Sequence, residues 1–225
     1  MSHLRGLRLA RRRTNWIRAG LRLVHAVHHQ SCVPEDIAFD EQLPINLQLQ
    51  AGVHFTPVAV ARVAAQLLAT RPGMTVLDVG SGAGKFCITA AATIPDVEFV
   101  GVEWRPYLIQ IARSLAARSA VSNVEFIQAD ALDLDWAEFD AFYFYNPFAE
   151  QLFDGGFKLD GAIASDPLDF ITYVSAVRQR LSCARVGTRV VTFHGFGATP
   201  PLCYEFRGAR TSLAGRLELW VKTVE

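Results

Sequence analysis

The chain has 225 residues, 51% of them apolar, and equal numbers of basic and acidic side chains, 22 of each. This length and apolar content suit one domain with an appendage and exclude a chain that is disordered throughout. The four cysteines are scattered without Cys-x-x-Cys pairs, which argues against a zinc site or a disulfide framework and predicts a reducing, cytoplasmic location. We expect no membrane span, which needs roughly 18 apolar residues, and no signal peptide.

The N-terminal 30 residues are strongly basic, although the formal net charge of the whole chain is zero. They contain seven arginines and no acidic residue, so all 22 acidic groups lie in the rest of the chain. Apolar residues such as Trp16 and Leu21 alternate with the arginines, which is compatible with a basic amphipathic helix. This arm could bind RNA, an acidic protein or anionic lipid, dock on the acidic body of the chain, or serve as an organellar targeting segment. We assign residues 1–49 to the arm and a helical extension.

The first long helix of the body is predicted to end at Leu68. Before it, Ile37–Pro44 is expected to be a loop or a short helix that stops at Pro44. Thr56 is a suitable N-cap, Pro57 suits the first helical turn, and the apolar residues that follow recur at helical spacing. This helix should pack beside the first strand.

The most informative stretch of the chain is a predicted strand, turn and helix. The apolar run Thr75–Val79 ends in a cluster of three alternate glycines, Gly80, Gly82 and Gly84, and passes at once into a helical pattern from Lys85. Glycines allow positive φ and close approach of the backbone to a ligand, and the following helix directs unpaired N–H groups toward it. The stretch therefore predicts a nucleotide site.

Spacing separates three kinds of nucleotide loop. A phosphate-binding P-loop fails because Val79 occupies its first glycine position and Phe86 replaces its hydroxyl residue. A dinucleotide fingerprint fails because the sixth residue counted from Gly80 is Lys85. The remaining pattern, Asp78-x-Gly80-x-Gly82-x-Gly84, resembles motif I of the class I S-adenosylmethionine-dependent methyltransferases.

After the glycines, strand and helix patterns alternate. Strands are expected at 97–103, 124–130, 139–145 and 188–194, with helices at 106–120 and 168–181. Two final strands, 202–207 and 217–224, have no helix-length segment between them and predict an antiparallel hairpin joined by residues 208–215. The fold class is therefore α/β, a doubly wound, mostly parallel, seven-stranded sheet with a C-terminal hairpin. Over residues 50–225 this plan resembles the methyltransferase fold.

The resemblance implies which residues hold the cofactor S-adenosylmethionine, whose product is S-adenosylhomocysteine. Glu103, which ends the second strand, takes the place of the acid that accepts hydrogen bonds from both ribose hydroxyls. Asp78 would orient the glycine loop and approach the ammonium end of the methionine, and Lys85 would either meet the methionine carboxylate or face solvent. The segment before the first long helix would close over the cofactor, and the adenine falls to the ends of the second and third strands. The cofactor residues implied are Thr56, Asp78, Gly80, Ser81, Gly82, Gly84, Glu103, Trp104, Asp130 and Ala131.

The methyl acceptor is expected where the fourth strand ends, at Tyr145–Glu150. Asn146-Pro147-Phe148 resembles the Asn-Pro-Pro-Tyr/Phe signature of enzymes that methylate exocyclic or amide nitrogens, but the second proline is absent. Together with Phe55-Thr56-Pro57 and Leu77–Gly84, it is also similar to the histone-lysine methyltransferases of the telomeric-silencing-disruptor type and their bacterial relatives. The catalytic residues implied are Tyr145, Asn146, Pro147, Phe148 and Glu150.

These patterns predict an S-adenosylmethionine-dependent N-methyltransferase acting on a protein lysine or similar amine. Asn146 would accept the N–H groups of the target, and Glu150 or Tyr145 would help an ammonium lose its proton. His54 and His194 are further candidate bases, and no metal is needed. The alternatives are an RNA or DNA methyltransferase that binds through the arginine-rich arm, and a cofactor-binding partner subunit without turnover.

Overall fold

The computed structural model describes residues 34–152, 158–212 and 214–225. The basic amphipathic helix predicted for residues 1–30 lies outside this part of the chain. The helices are α1 Pro34–Asp40, α2 Ile45–Gln48, α3 Ala51–His54, α4 Val58–Leu68, α5 Lys85–Thr93, α6 Pro106–Arg118 and α7 Pro167–Cys183. The strands are β1 Thr75–Val79, β2 Glu98–Glu103, β3 Val124–Gln128, β4 Ala141–Tyr145, β5 Arg189–Phe193, β6 Tyr204–Ser212 and β7 Gly215–Lys222.

The strands form a seven-stranded sheet in the order β3-β2-β1-β4-β5-β7-β6. Strands β1 to β5 are parallel, and β7 runs antiparallel to both β5 and β6. The predicted fold class is confirmed. Because the strand order reverses between β1 and β4, the loops after these strands diverge and leave a crevice at their carboxyl ends.

Two apolar layers cover the sheet, and β4 shows how one strand serves both. Phe142 and Phe144 belong to the layer that contains Trp136 and the apolar face of α7. Tyr143 points to the opposite layer, where its ring stacks on Phe86 of α5 at 3.9 Å between centroids. The side chains of this central strand therefore alternate between the two layers, as in a strand that is buried on both faces.

The start of α4 differs from the sequence prediction. Its N-cap position is Pro57, and the backbone N–H of Val58 donates to the side chain of Asp36 at 2.8 Å. Thr56 instead pairs its hydroxyl with Tyr143 at 3.0 Å. The cap is thus supplied from α1, a distant segment that a local capping pattern cannot reveal.

The C-terminal hairpin is longer than predicted. Strand β6 continues through Gly208, which lies at a β-bulge with φ 138°, as far as Ser212. A bulge accommodates an extra residue without ending the pairing, so a glycine that suggested a loop is part of the strand.

One segment passes a membrane-span criterion that the sequence had been expected to fail. Ala51–Leu68 is 18 residues long with a mean hydropathy of 1.2, and half of it is buried inside the domain. Ala61, Ala64, Ala65 and Leu68 are fully buried in the core. Because these residues already pack against the protein, the segment has the burial of a core helix.

Candidate functional site

A cavity of about 490 Å³ lies at the carboxyl ends of β1, β2 and β4. It contains most of the residues that the sequence assigned to cofactor and acceptor. Those that line it are Gly80, Gly82, Glu103, Trp104, Asp130, Ala131, Tyr145, Asn146, Pro147, Phe148 and Glu150. Thr56, Asp78, Ser81 and Gly84 are not among the lining residues.

The glycine loop brings the cavity floor close to two other segments. Gly80 and Gly82 have φ of 78° and 56°, which disfavours residues with a side chain. A Cβ on Gly80 would lie 3.0 Å from Cβ of Pro147, and one on Gly82 would lie 3.0 Å from the Phe55 ring. The loop is therefore in contact with both the turn after β4 and the segment before α4.

Gly84 has a packing role. Its φ is 81°, and an added Cβ would lie 2.5 Å from the ring of Phe126 and 3.0 Å from Ala112. Close packing against β3 and α6 is sufficient to explain why residue 84 is a glycine. A contact between Gly84 and the cofactor is not needed for that explanation.

Glu103 is held in place by two backbone donors. Its side chain is 5% exposed, one oxygen accepts from the N–H of Arg105 at 3.0 Å, and the other accepts from the N–H of Gly82 at 3.3 Å. Burial raises the pKa of this carboxyl, and the two N–H groups and the Arg105 charge oppose that rise. Each oxygen keeps lone-pair capacity toward the cavity, which is what two ribose hydroxyls require.

The end of β3 carries Asp130 into the cavity. One oxygen of Asp130 accepts from the N–H of Leu132 at 2.9 Å, and the other accepts from the hydroxyl of Tyr173 at 2.6 Å. Ala131 lies beside it, and Trp104 is 44% exposed at the rim. An amine donor placed here meets a carboxylate that the protein has already oriented, as an adenine amino group requires.

Asp78 and Ser81 lie beneath the loop. Asp78 is 4% exposed and accepts from the thiol of Cys87 at 3.5 Å. Burial raises its pKa to about 7. Ser81 is buried as well, with its N–H bonded to the carbonyl of Val102 at 2.9 Å. Both residues shape the loop from below, and neither reaches the cavity wall.

Lys85 does not face the cavity or solvent, the two positions considered for it from the sequence. It is buried and forms ion pairs with Asp36 at 2.8 Å and Asp40 at 2.7 Å. Both partners lie in α1, more than 40 residues earlier in the chain, so the pairing binds the helical extension to the domain.

The turn after β4 projects Asn146 and Pro147 into the cavity. Asn146 has a positive φ of 43°, and its N–H donates to the carbonyl of Gly195 at 2.9 Å. Its side chain has no hydrogen bond to another described residue. Non-glycine residues seldom adopt this conformation, and such strain is concentrated at functional sites.

The ring of Phe148 packs into the apolar layer that contains Trp136. It is 9% exposed, and its ring stacks on Tyr173 at 5.2 Å between centroids. Because Tyr173 also holds Asp130, Phe148 supports the adenine side of the cavity. Its predicted contact with the acceptor stays a prediction, since Phe148 also lines the cavity.

Tyr145 and Glu150 line the cavity but have other partners. The Tyr145 hydroxyl donates to the carbonyl of Val53 at 2.9 Å, and burial raises its pKa. Glu150 pairs with Arg105 at 2.8 Å and accepts from the N–H of Leu159 at 3.2 Å. Both side chains are thus already engaged, and their part in removing a proton from an ammonium group stays a prediction.

His54 is the better-placed titratable group. It lines the cavity, and its Nε2 is buried without a hydrogen-bond partner within the described residues. Burial, reinforced by the charge of Arg105, lowers its pKa to about 4, so the imidazole is neutral. His194 is instead hydrogen-bonded to the carbonyl of Ala214 at 3.1 Å. The sequence offered both histidines as candidate bases without a preference. The unpaired Nε2 favours His54 over His194.

The cavity lining is acidic. Among the described residues that line it, Glu103, Asp130, Glu150 and Asp169 contribute four carboxyl groups, and Arg105 contributes the one guanidinium. Within residues 34–152, 158–212 and 214–225, no cluster of His, Cys, Asp and Glu could hold a metal ion.

Comparison with known proteins identifies the class of the domain. Residues 70–154 match the family model described as a methyltransferase domain. The chain is 34% identical over 147 residues to the 23S rRNA (uracil(1939)-C(5))-methyltransferase RlmD of Alkalilimnicola ehrlichii, a match covering 63% of this chain and 31% of that protein. It is 48% identical over 59 residues to the arsenite methyltransferase of Halobacterium salinarum, covering 26% and 15%. The chain thus spans less than a third of the length of these two relatives.

Solved structures share the fold. An RNA methyltransferase from Salinibacter ruber in complex with S-adenosyl-L-homocysteine superimposes with a TM-score of 0.55 at 22% identity, over 76% of this chain and 94% of that one. TrmN from Thermus thermophilus gives a TM-score of 0.54 at 22% identity, over 74% and 49%.

Residues 70–154 are thus similar to a methyltransferase domain, and the described residues share the fold of a solved methyltransferase in complex with S-adenosyl-L-homocysteine, the product of S-adenosylmethionine. The residues present fit this cofactor, because two glycines allow close approach, a buried carboxylate suits the ribose and Asp130 suits the adenine amine. When bound, the cofactor supplies an electrophilic methyl group on a sulfonium. The protein contributes orientation, exclusion of water and hydrogen-bond partners for the acceptor.

Proposed function

We propose that the chain transfers the methyl group of S-adenosylmethionine to the nitrogen of an amine, either a protein lysine or a similar one. The observation that carries the proposal is the close approach of Gly80 to Pro147, since a Cβ added to Gly80 would lie 3.0 Å from Cβ of Pro147. This contact places the side chain of Asn146, without a partner among the described residues, beside the loop expected to hold the cofactor. An amide oxygen there can accept an N–H of the acceptor.

His54 provides a second acceptor at the same end of the cavity. Its segment is tied to β4 through the bond between Tyr145 and the carbonyl of Val53, and to the glycine loop through the contact of Phe55 with Gly82. A nitrogen held by Asn146 and His54 would present its lone pair in a fixed direction. That orientation is the contribution the protein has to make to methyl transfer.

The charge of the cavity supports an amine. In the described part of the lining, four carboxyl groups face one guanidinium, and Arg105 already pairs with two of them, Glu103 and Glu150. Asp130 lies on the adenine side, which leaves Asp169 to favour a cationic side chain, and the acidic lining opposes the entry of a phosphate backbone.

RNA is the second candidate acceptor, and the names of the relatives favour it. RlmD matches this chain at 34% identity over 147 residues, and tRNA (guanine-N(7)-)-methyltransferases match it at 34–36% identity over 58 residues. Methylation of a pyrimidine carbon would need a nucleophile, and none of the described cysteines lines the cavity. An RNA acceptor methylated on nitrogen would use the arginine-rich arm as the binding element.

Transfer of a radiolabelled methyl group into a cell lysate tests the proposal. We expect label in macromolecules that protease removes and nuclease does not. Label that survives protease but not nuclease would replace the lysine proposal with the RNA one. Binding of the cofactor without transfer to any fraction would favour the non-catalytic partner subunit, and an Asn146→Ala variant with unchanged transfer would contradict the role given to this turn.

A further inference from the structure

Arg105 connects three segments around the cavity. It lies two residues after Glu103, and its side chain is 6% exposed. Its guanidinium is 2.8 Å from Glu150, 3.0 Å from Asp160 and 3.8 Å from Glu103. These carboxylates come from the end of β2, the turn after β4 and the segment before α7, so one side chain joins the cofactor side of the cavity to the acceptor side.

The segment 158–163, here called the strap, is fastened by this arrangement. Leu159 and Ile163 of the strap line the cavity. Asp160 accepts from Arg105, from the hydroxyl of Tyr107 at 2.9 Å and from the N–H of Ala162 at 2.9 Å. Glu150 also holds the strap by accepting from the N–H of Leu159 at 3.2 Å. The apolar wall that the strap gives the cavity therefore depends on two carboxylates, Asp160 and Glu150, that share Arg105 as their cationic partner.

Arg105 is a buried cation surrounded by three carboxylates, which is an unusual excess of negative charge around a buried group. Removing one partner of a buried ion pair leaves the other charge uncompensated, and here three carboxylates share one guanidinium. The charged and titratable groups that act on Glu103 or on Arg105 are Asp78, Tyr107, Glu150, Asp160 and His54. Arg105 is the one cation among them.

We propose that Arg105 is a positioning residue for the cofactor: it keeps Glu103 ionised and directed at the ribose, and it fastens the strap over the cavity. The proposal rests on the cofactor site and holds whichever acceptor is used. It goes beyond the assignment of Glu103 because it makes the ribose contact depend on a residue that need not touch the ligand.

Calorimetric titration with S-adenosylhomocysteine tests the proposal without an acceptor. We expect Arg105→Gln to weaken binding about 10- to 100-fold at pH 7, the size of a charge-assisted contact. Without the guanidinium the pKa of Glu103 rises further, so the variant should lose affinity at a higher pH than the wild type as the pH falls. Arg62→Gln, which removes an exposed ion pair with Glu35, is the control and should bind normally.

A double variant separates positioning from a general structural effect. In a Glu103→Gln background the group at this position does not titrate, so adding Arg105→Gln should cause no further change in the pH dependence of binding. Arg105→Lys should keep the wild-type pH dependence because it keeps the charge. A folded Arg105→Gln protein with wild-type affinity and pH dependence would overturn the proposal.

The strap has its own test, which also applies if Arg105→Gln fails to fold. Asp160→Asn should leave the pH dependence of binding unchanged and accelerate trypsin cleavage after Lys158, with S-adenosylhomocysteine slowing that cleavage. Equal cleavage rates in Asp160→Asn and the wild type would show that the pair with Arg105 does not fasten the strap.

Discussion

The two halves of the cavity differ in how their polar side chains are used. In the cofactor half, Glu103 and Asp130 each accept two hydrogen bonds from the protein before any ligand is present. In the acceptor half, Nε2 of His54 and the side chain of Asn146 have no partner within the described residues. The cofactor half is thus preorganised for one known ligand, whereas the acceptor half offers hydrogen-bond acceptors that a substrate has to satisfy.

The largest effect is expected where the cofactor half is built into the core. Gly84→Ala would place a Cβ at 2.5 Å from Phe126 at a positive φ, which should lower the free energy of unfolding by about 2–5 kcal/mol. Gly73→Ala has a similar φ of 72° but no atom within 4 Å of the added Cβ, so it should cost only about 1–2 kcal/mol. Denaturant unfolding of both variants measures the difference, and equal losses would mean that Gly84 is not a packing position.

The next effect separates the two halves directly. Asn146→Ala should reduce kcat/KM for methyl transfer about 100- to 1,000-fold, the cost of losing one oriented hydrogen-bond partner in an active site. Its affinity for S-adenosylhomocysteine should stay within about twofold of the wild type, because Asn146 is expected to contact the acceptor and not the cofactor, and distant groups contribute independently. A parallel loss of cofactor affinity would show that the halves are not independent.

A smaller effect is expected at His54. His54→Phe should lower kcat/KM about 10-fold by removing one hydrogen bond of about 1.5 kcal/mol, and His54→Gln should recover part of it. The lowered pKa of about 4 means that His54 is neutral in the folded protein above about pH 5. We therefore expect the titration of His54 to cause no inflection in the pH–rate profile of the wild type between pH 6 and pH 8. An inflection in this range that is present in the wild type and absent in His54→Phe would contradict the assignment of His54 as neutral.

The fold and the cofactor half could be predicted because their signals are local. Alternating apolar runs mark β1 to β5, and the glycines after β1 together with Glu103 after β2 mark the cofactor half through short, fixed spacings. The boundaries of the hairpin shifted because a bulged glycine resembles a loop in sequence.

The acceptor half could not be predicted to the same depth because its interactions are long-range. Asp160 and Glu150 lie about 50 residues from Arg105, and Val53 lies 92 residues from Tyr145. No periodicity in the sequence records such pairs. The sequence therefore identified Tyr145 and Glu150 as chemical candidates but could not show that both side chains were already engaged.

The most direct test of the account is calorimetric titration of S-adenosylmethionine into the wild type and Glu103→Gln. The wild type should bind one equivalent, and Glu103→Gln should bind about 10- to 100-fold more weakly because the ribose loses its charged hydrogen-bond acceptor. Equal affinities for the two proteins would contradict the placement of the cofactor in this cavity.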